Sequence, residues 1–169
     1  MTKRLKIVGI IMLFTLLSCA VDKPAEPMCR VNEEKAEEIQ GNAACLIRIQ
    51  NQLLVTLGHS TDNYSLPGGK SKKNESAQCT AHRQTWAKTG FNVLVGEYLA
   101  IGNEGLRYYQ CTLGGNFVGQ IQSFPVPEWA SAKVASIQLI DPFESHRNEW
   151  ASPGQLIMLR DMFNRVEVE

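Results

Sequence analysis

The side chains of this sequence that could do chemistry include five cysteines, three histidines and a lysine set directly after a glycine pair. Four of the cysteines, Cys29, Cys45, Cys79 and Cys111, never fall at the Cys-x-x-Cys spacing, which disfavours a zinc knuckle or a thioredoxin-like redox motif. As an even set they suit two disulfides, and three pairings are open. Gly69-Lys70-Ser71 has the ending of a phosphate-binding loop, but the glycine required five residues earlier is Tyr64, so that motif fails. His59, His82 and His146 have no serine, cysteine or carboxylate at an informative spacing. His82, beside Arg83, is expected on the flank of a helix or against a sheet rather than in catalysis.

The chain has 169 residues, 44% hydrophobic and 20% charged, which suits one domain with one core. Seventeen basic residues balance seventeen acidic ones, and this excludes a strongly basic binder of nucleic acid polymers. The balance is uneven along the chain. Lys3, Arg4 and Lys6 precede an apolar run from Ile7 to Leu17, and every acidic residue lies after Cys19. The run is shorter than the roughly 20 residues a membrane span needs. Its anatomy is that of a secretory leader, and Leu16-Leu17-Ser18-Cys19 resembles a bacterial lipoprotein signal. The resemblance implies removal of residues 1–18 and acylation of Cys19, with the membrane as a partner through the lipid. It implies a periplasm-facing position if the cell is Gram-negative, on the outer rather than the inner membrane because Asp does not follow Cys19. Without the leader the chain carries fourteen basic and seventeen acidic residues, a formal charge of −3. Export to an oxidising compartment favours disulfides.

These groups need elements to position them. Ala20 to Pro27 contains two prolines and reads as a tether within residues 19–28, with a single domain over 29–169. Asn32 to Gln40 predicts a short surface helix stopped by Gly41. Cys45-Leu46-Ile47-Arg48-Ile49 and Leu53-Leu54-Val55-Thr56-Leu57 predict a hairpin, and Pro67-Gly68-Gly69 a turn. Ser76 to Lys88, closed by Gly90, predicts a helix. Val93 to Ile101 and Leu106 to Leu113 predict strands. Ser152 to Val166 predicts a last helix, with Ser152 as its cap and Pro153 in its first position. Strands with one central and one terminal helix indicate an α/β or α+β sandwich.

The segment from Ala43 to Phe91 resembles the Nudix hydrolase family. The family box reads G-x5-E-x7-R-E-U-x-E-E-x-G-U, where U is bulky and aliphatic. Gly69, Glu75, Arg83 and Gly90 fall on their positions, Phe91 is an apolar residue at the last U, and Leu66-Pro67-Gly68-Gly69-Lys70 is the prefix Nudix domains carry. The resemblance implies an α/β/α sandwich with a mixed sheet, a central Nudix helix and a C-terminal helix. It implies an ancestral Mg²⁺-dependent hydrolysis of nucleoside diphosphates linked to another moiety. It also implies that Glu75 and Arg83 pair to hold loop against helix, with at most a residual catalytic part, and that Gly69 and Gly90 serve backbone turns. Where the family has the metal-binding glutamates, this chain has Gln84, Ala87 and Lys88, spaced so that one helix face presents an amide, a methyl and a cation. That pattern is expected of a degenerate enzyme or of a pseudoenzyme that binds a phosphorylated ligand or an envelope protein, with Lys88, Lys70 and Gln84 as ligand-binding candidates and Lys72 and Lys73 assisting. Glu97 and Glu104 stand where some relatives place a further acid. The implied fold could bring the strands of Cys45 and Cys111 together, a pairing that goes with Cys29 to Cys79.

Overall fold

The computed structural model describes residues 23–115 and 122–167. The leader and Cys19 therefore lie outside the described residues. Among those residues no helix is long and apolar enough to cross a membrane.

Two sheets and two helices make the domain. β1 (Ala43–Leu46) is central to the first sheet, flanked by antiparallel β5 (Gly68–Gly69) and by parallel β7 (Arg107–Thr112), which in turn pairs antiparallel with β6 (Leu94–Ile101). The second sheet is antiparallel. It holds β2 (Arg48–Ile49), β3 (Gln52–Gly58), β9 (Val134–Ile140) and β8 (Ser123–Phe124), with β4 (Tyr64–Ser65) also on β3. α1 spans Ala77–Thr89 and α2 spans Leu156–Arg165.

Alternation along β1 explains the layers, because successive side chains of a strand point to opposite faces. Ala43, Cys45 and Ile47 join the cluster that contains Ala77 and Ala81 of α1. Ala44 and Leu46 join the cluster that contains Leu156, Leu159, Met162 and Phe163 of α2. β1 is buried on both faces, as a strand with a parallel neighbour usually is. The arrangement is the α/β/α sandwich with a mixed sheet.

Three local expectations are corrected. The predicted hairpin splits, since Ala43–Leu46 enters the first sheet while Arg48–Ile49 turns back on β3 in the second. An apolar run of five residues does not specify its pairing partner. The helix over 32–40 is one 3-10 turn at Glu33–Lys35, capped by Asn32. Buried Gln78 accounts for this: its amide accepts from the Glu37 N–H at 2.8 Å and donates to the Lys35 and Gly96 carbonyls, holding the segment extended. Pro67-Gly68-Gly69 is not a free turn, because Gly68 and Gly69 are β5. A Cβ on Gly68 would collide with the Ala44 side chain and lie 2.6 Å from its Cα. Gly68→Ala is therefore expected to lower stability by about 3 kcal/mol through overpacking, read from the urea midpoint.

Both disulfides form across these layers. Cys45 and Cys111 join neighbouring strands of the first sheet, and Cys29 is bonded to Cys79 in the first turn of α1. Residues 23–31, from the second half of the expected tether onward, lie along the domain. Lys23 sits 4.8 Å from the Trp86 ring, Glu26 pairs with Lys72 at 2.9 Å, and Val31 bridges to Val95. Trp86 itself stacks on Trp129.

Candidate functional site

α1 begins where the sequence places it. The Ser76 hydroxyl accepts the Cys79 N–H at 3.2 Å, and Gly90 ends the helix in the left-handed region at φ 77°, a conformation that suits glycine. Between β5 and α1, the loop 70–75 folds around one carboxylate. Glu75 accepts Nε and a terminal nitrogen of Arg83 at 2.6 Å each, in a two-pronged pair whose side chains are both 14% exposed. The same carboxylate accepts the Lys72 N–H at 2.8 Å and the Thr80 hydroxyl at 2.9 Å. Burial acts to raise the Glu75 carboxyl, but hydrogen bonds from Arg83, Lys72 and Thr80 outweigh it and hold it at about 2. The Lys70 carbonyl is gripped in turn by Arg83 at 2.9 Å and by the Gln84 amide at 2.8 Å. The Gln84 amide carbon would lie only 2.9 Å from a Cβ on Gly69, so a side chain there would displace the Gln84 amide from its place on the Lys70 carbonyl. Loop and helix are thus locked together by Glu75, Arg83 and Gln84.

Beyond this lock, a cavity of about 200 Å³ opens on the α2 side of the first sheet. Leu66, Leu106, Leu159 and the rings of Tyr64, Tyr108 and Trp150 line it, and Lys88 lines it from α1. The polar atoms of the two buried rings are bonded: the Tyr108 hydroxyl donates to Gln155, also a lining residue, at 2.7 Å, and Trp150 Nε1 donates to the Ser145 hydroxyl at 3.0 Å. Both therefore turn apolar surface inward. Lys88 is half-buried, and among the described residues no carboxylate pairs with it. Burial, with the Lys133 cation adding to it, pushes the Lys88 ammonium below the usual lysine range.

The candidates from the sequence are distributed unevenly over these two places. Glu75, Arg83, Gln84 and the Lys70 backbone form the lock, whereas Gly69 and Lys88 border the cavity. The Lys70 side chain is exposed, and Lys72 is engaged by Glu26. Glu97 pairs with Lys35 at 3.8 Å, and Glu104 sits in a turn at φ 57°. His82 is buried and bonds Asn92 at 2.8 Å, in keeping with a structural place. Sequence reasoning missed Tyr64, Tyr108 and Gln155 as parts of the cavity. Only Gly69 and Lys88, picked out by their places in the box, pointed toward it.

The donor set can be compared with what a metal asks for. A hard divalent cation takes about six oxygen ligands, several of them anionic. The α1 face offers the Gln84 amide, already bonded to Lys70, then the Ala87 methyl and the Lys88 cation, while the Glu75 oxygens are taken by the lock. Among the described residues no three His, Cys, Asp or Glu gather as a ligand group. These side chains do not fit Mg²⁺.

No protein-family model matches the chain, and no curated protein matches it. Solved structures do. A UDP-X diphosphatase matches with a TM-score of 0.55 at 16% identity, over 80% of this chain and 68% of that one. A Nudix-family hydrolase from Clostridium perfringens matches with a TM-score of 0.54 at 15% identity, over 75% and 97% of the two chains. An ADP-ribose pyrophosphatase from Streptococcus suis 89-1591 matches with a TM-score of 0.52 at 15% identity, over 76% and 94%. At such identities the likeness is one of backbone, and the α/β/α sandwich built on β1, β7 and α1 is the fold of the Nudix hydrolases.

Proposed function

We propose that this chain is a lipid-anchored protein of the cell envelope whose Nudix-fold domain binds a ligand without hydrolysing it. Its leader and Cys19 support the anchor, and two disulfides suit an oxidising compartment. The observation that carries the loss of hydrolysis is the α1 face on which Gln84, Ala87 and Lys88 replace the glutamates of the family box. Diphosphate cleavage needs positive charge over the developing phosphate charge, which carboxylate-held metal ions usually supply. Here the scaffold half of the box survives as the Glu75–Arg83 lock, and the metal-holding half does not. The family activity, metal-dependent hydrolysis of nucleoside diphosphates linked to another moiety, is thus ancestral. A cleft bordered, among the described residues, by the Lys88 cation and aromatic rings remains for binding.

The test is turnover. The full chain, purified in detergent micelles, is incubated with UDP-glucose, ADP-ribose and diadenosine polyphosphates plus Mg²⁺ or Mn²⁺. The expected outcome is no release of mononucleotide above a protein-free control. Release at an ordinary enzymatic rate that Glu75→Gln abolishes would overturn the reading. The anchor is tested separately by labelling cells with a palmitate analogue: the chain is expected to take up label, and Cys19→Ser to lose it.

A further inference from the structure

We infer that the cavity beside Lys88 takes a small organic monoanion, a carboxylate on an apolar or aromatic body, and not a nucleotide. The inference rests on the reading above that no divalent ion is held there.

Charge comes first. Among the described residues lining the cavity, Lys88 is the one with a charged side chain. The lysines that could help it neutralise a diphosphate lie outside the lining: Lys133, close enough to act on the Lys88 ammonium, is exposed, as are Lys70 and Lys73, and Lys72 is paired with Glu26 at 2.9 Å. One cation matches one negative charge. A diphosphate carries more, and without a metal or further cations its excess charge would be drawn out of water unpaired, which is costly. An ammonium half-buried against apolar surface carries the same cost in the empty site, and an incoming carboxylate relieves it.

Size and surface agree. At about 200 Å³ the cavity falls below the roughly 300–1,000 Å³ of sites that take drug-sized ligands. A base, a sugar and two phosphates would be only partly enclosed by such a volume. The walls are otherwise mostly apolar, with Leu66, Leu106, Leu159, Tyr108 and Trp150 beside the polar Ser65 and Gln155, and Gln155 is engaged by the Tyr108 hydroxyl. These walls match a phenyl ring or a short acyl chain. Tyr64 and Ser152, also lining residues, bring hydroxyl donors to the cavity.

The probes are benzoate, its neutral relative benzyl alcohol, and ADP, titrated into the full chain in detergent micelles with EDTA present and followed by saturation-transfer NMR against protein-free micelles. Benzoate is expected to saturate without divalent cation and to bind more tightly than ADP. Lys88→Met is expected to weaken benzoate binding about tenfold or more, as loss of a charged hydrogen bond does, while benzyl alcohol stays within about twofold. Lys88→Arg is expected to retain benzoate. The benzyl alcohol titration shows that the cavity is intact in the methionine variant. Three results would overturn the inference: no saturable benzoate binding, unchanged benzoate binding in Lys88→Met, or tighter binding of ADP than of benzoate in EDTA. None of them restores hydrolysis, so the non-catalytic reading stands or falls on turnover alone.

Discussion

Replacing Arg83 with leucine is expected to lower the stability of the domain by about 3 kcal/mol, the lower end of the cost of removing one partner from a buried ion pair. The reason is the state in which it leaves Glu75. That carboxylate is only 14% exposed, and its two 2.6 Å bonds to Arg83 are what make its charge tolerable there. Arg83 also holds the Lys70 carbonyl, so the loop 70–75 loses a second tie. Because the folded Glu75 carboxyl is held at about 2 against an ordinary 4.5, its contribution to stability is fully present above pH 4.5 and is lost as pH falls through the interval down to 2. Urea denaturation at pH 7 and pH 3 checks both points. Glu75→Gln should be less stable than the native chain at pH 7, and should show a smaller further loss on acidification.

Removal of the strand-to-strand disulfide is expected to be the costliest change of all. Cys45 and Cys111 are 66 residues apart, and closing a loop of that length restricts the unfolded chain by about 4 kcal/mol in the chain-entropy account. Cys45→Ala/Cys111→Ala should lose that amount. Both sulfurs sit in the α1-side core, with Cys45 fully buried, so alanine adds no polar group there. The native chain in strong reductant, which opens Cys29–Cys79 as well, should fall at least as far. The Cys29–Cys79 bond spans 50 residues, yet its partner segment is also held by Lys23 on Trp86, Glu26 on Lys72 and Val31 on Val95. Its loss should free residues 23–31 first, and hydrogen exchange at the Val95 amide, which donates to the Arg30 carbonyl, reports this.

How far the structure could be read in advance differs by element, and the differences are physical. α1 was legible because both of its ends carry their own stop signals, the Ser76 hydroxyl and the left-handed Gly90. The lock was legible through the resemblance, because Gly69, Glu75 and Arg83 stand at the spacing of the Nudix box, which implies the Glu75–Arg83 pair. The fate of residues 32–40 was not, because Gln78, more than forty positions from Lys35 and Glu37, decides it through its side chain. β9 went unread although Ile137 and Leu139 alternate with polar neighbours, since Ala132-Lys133 and Ala135-Ser136 blur its start and its partner β3 lies some eighty residues earlier. The cavity was the least legible part. Lys88 could be picked out by its place in the box, but Tyr64, Tyr108 and the stretch from Trp150 to Gln155 come from three separate segments that meet only after folding.

On the proposed reading, the domain keeps the Glu75–Arg83 lock between loop and helix and holds no divalent metal on α1. Mn²⁺ binding, followed by the electron paramagnetic resonance signal of free Mn²⁺ during titration of the full chain, tests this most directly. The account expects no saturable site in the native chain, and the appearance of one in Gln84→Glu/Ala87→Glu/Lys88→Glu, where three carboxylates would share one helix face. A saturable Mn²⁺ site in the native chain that disappears in Glu75→Gln would contradict it.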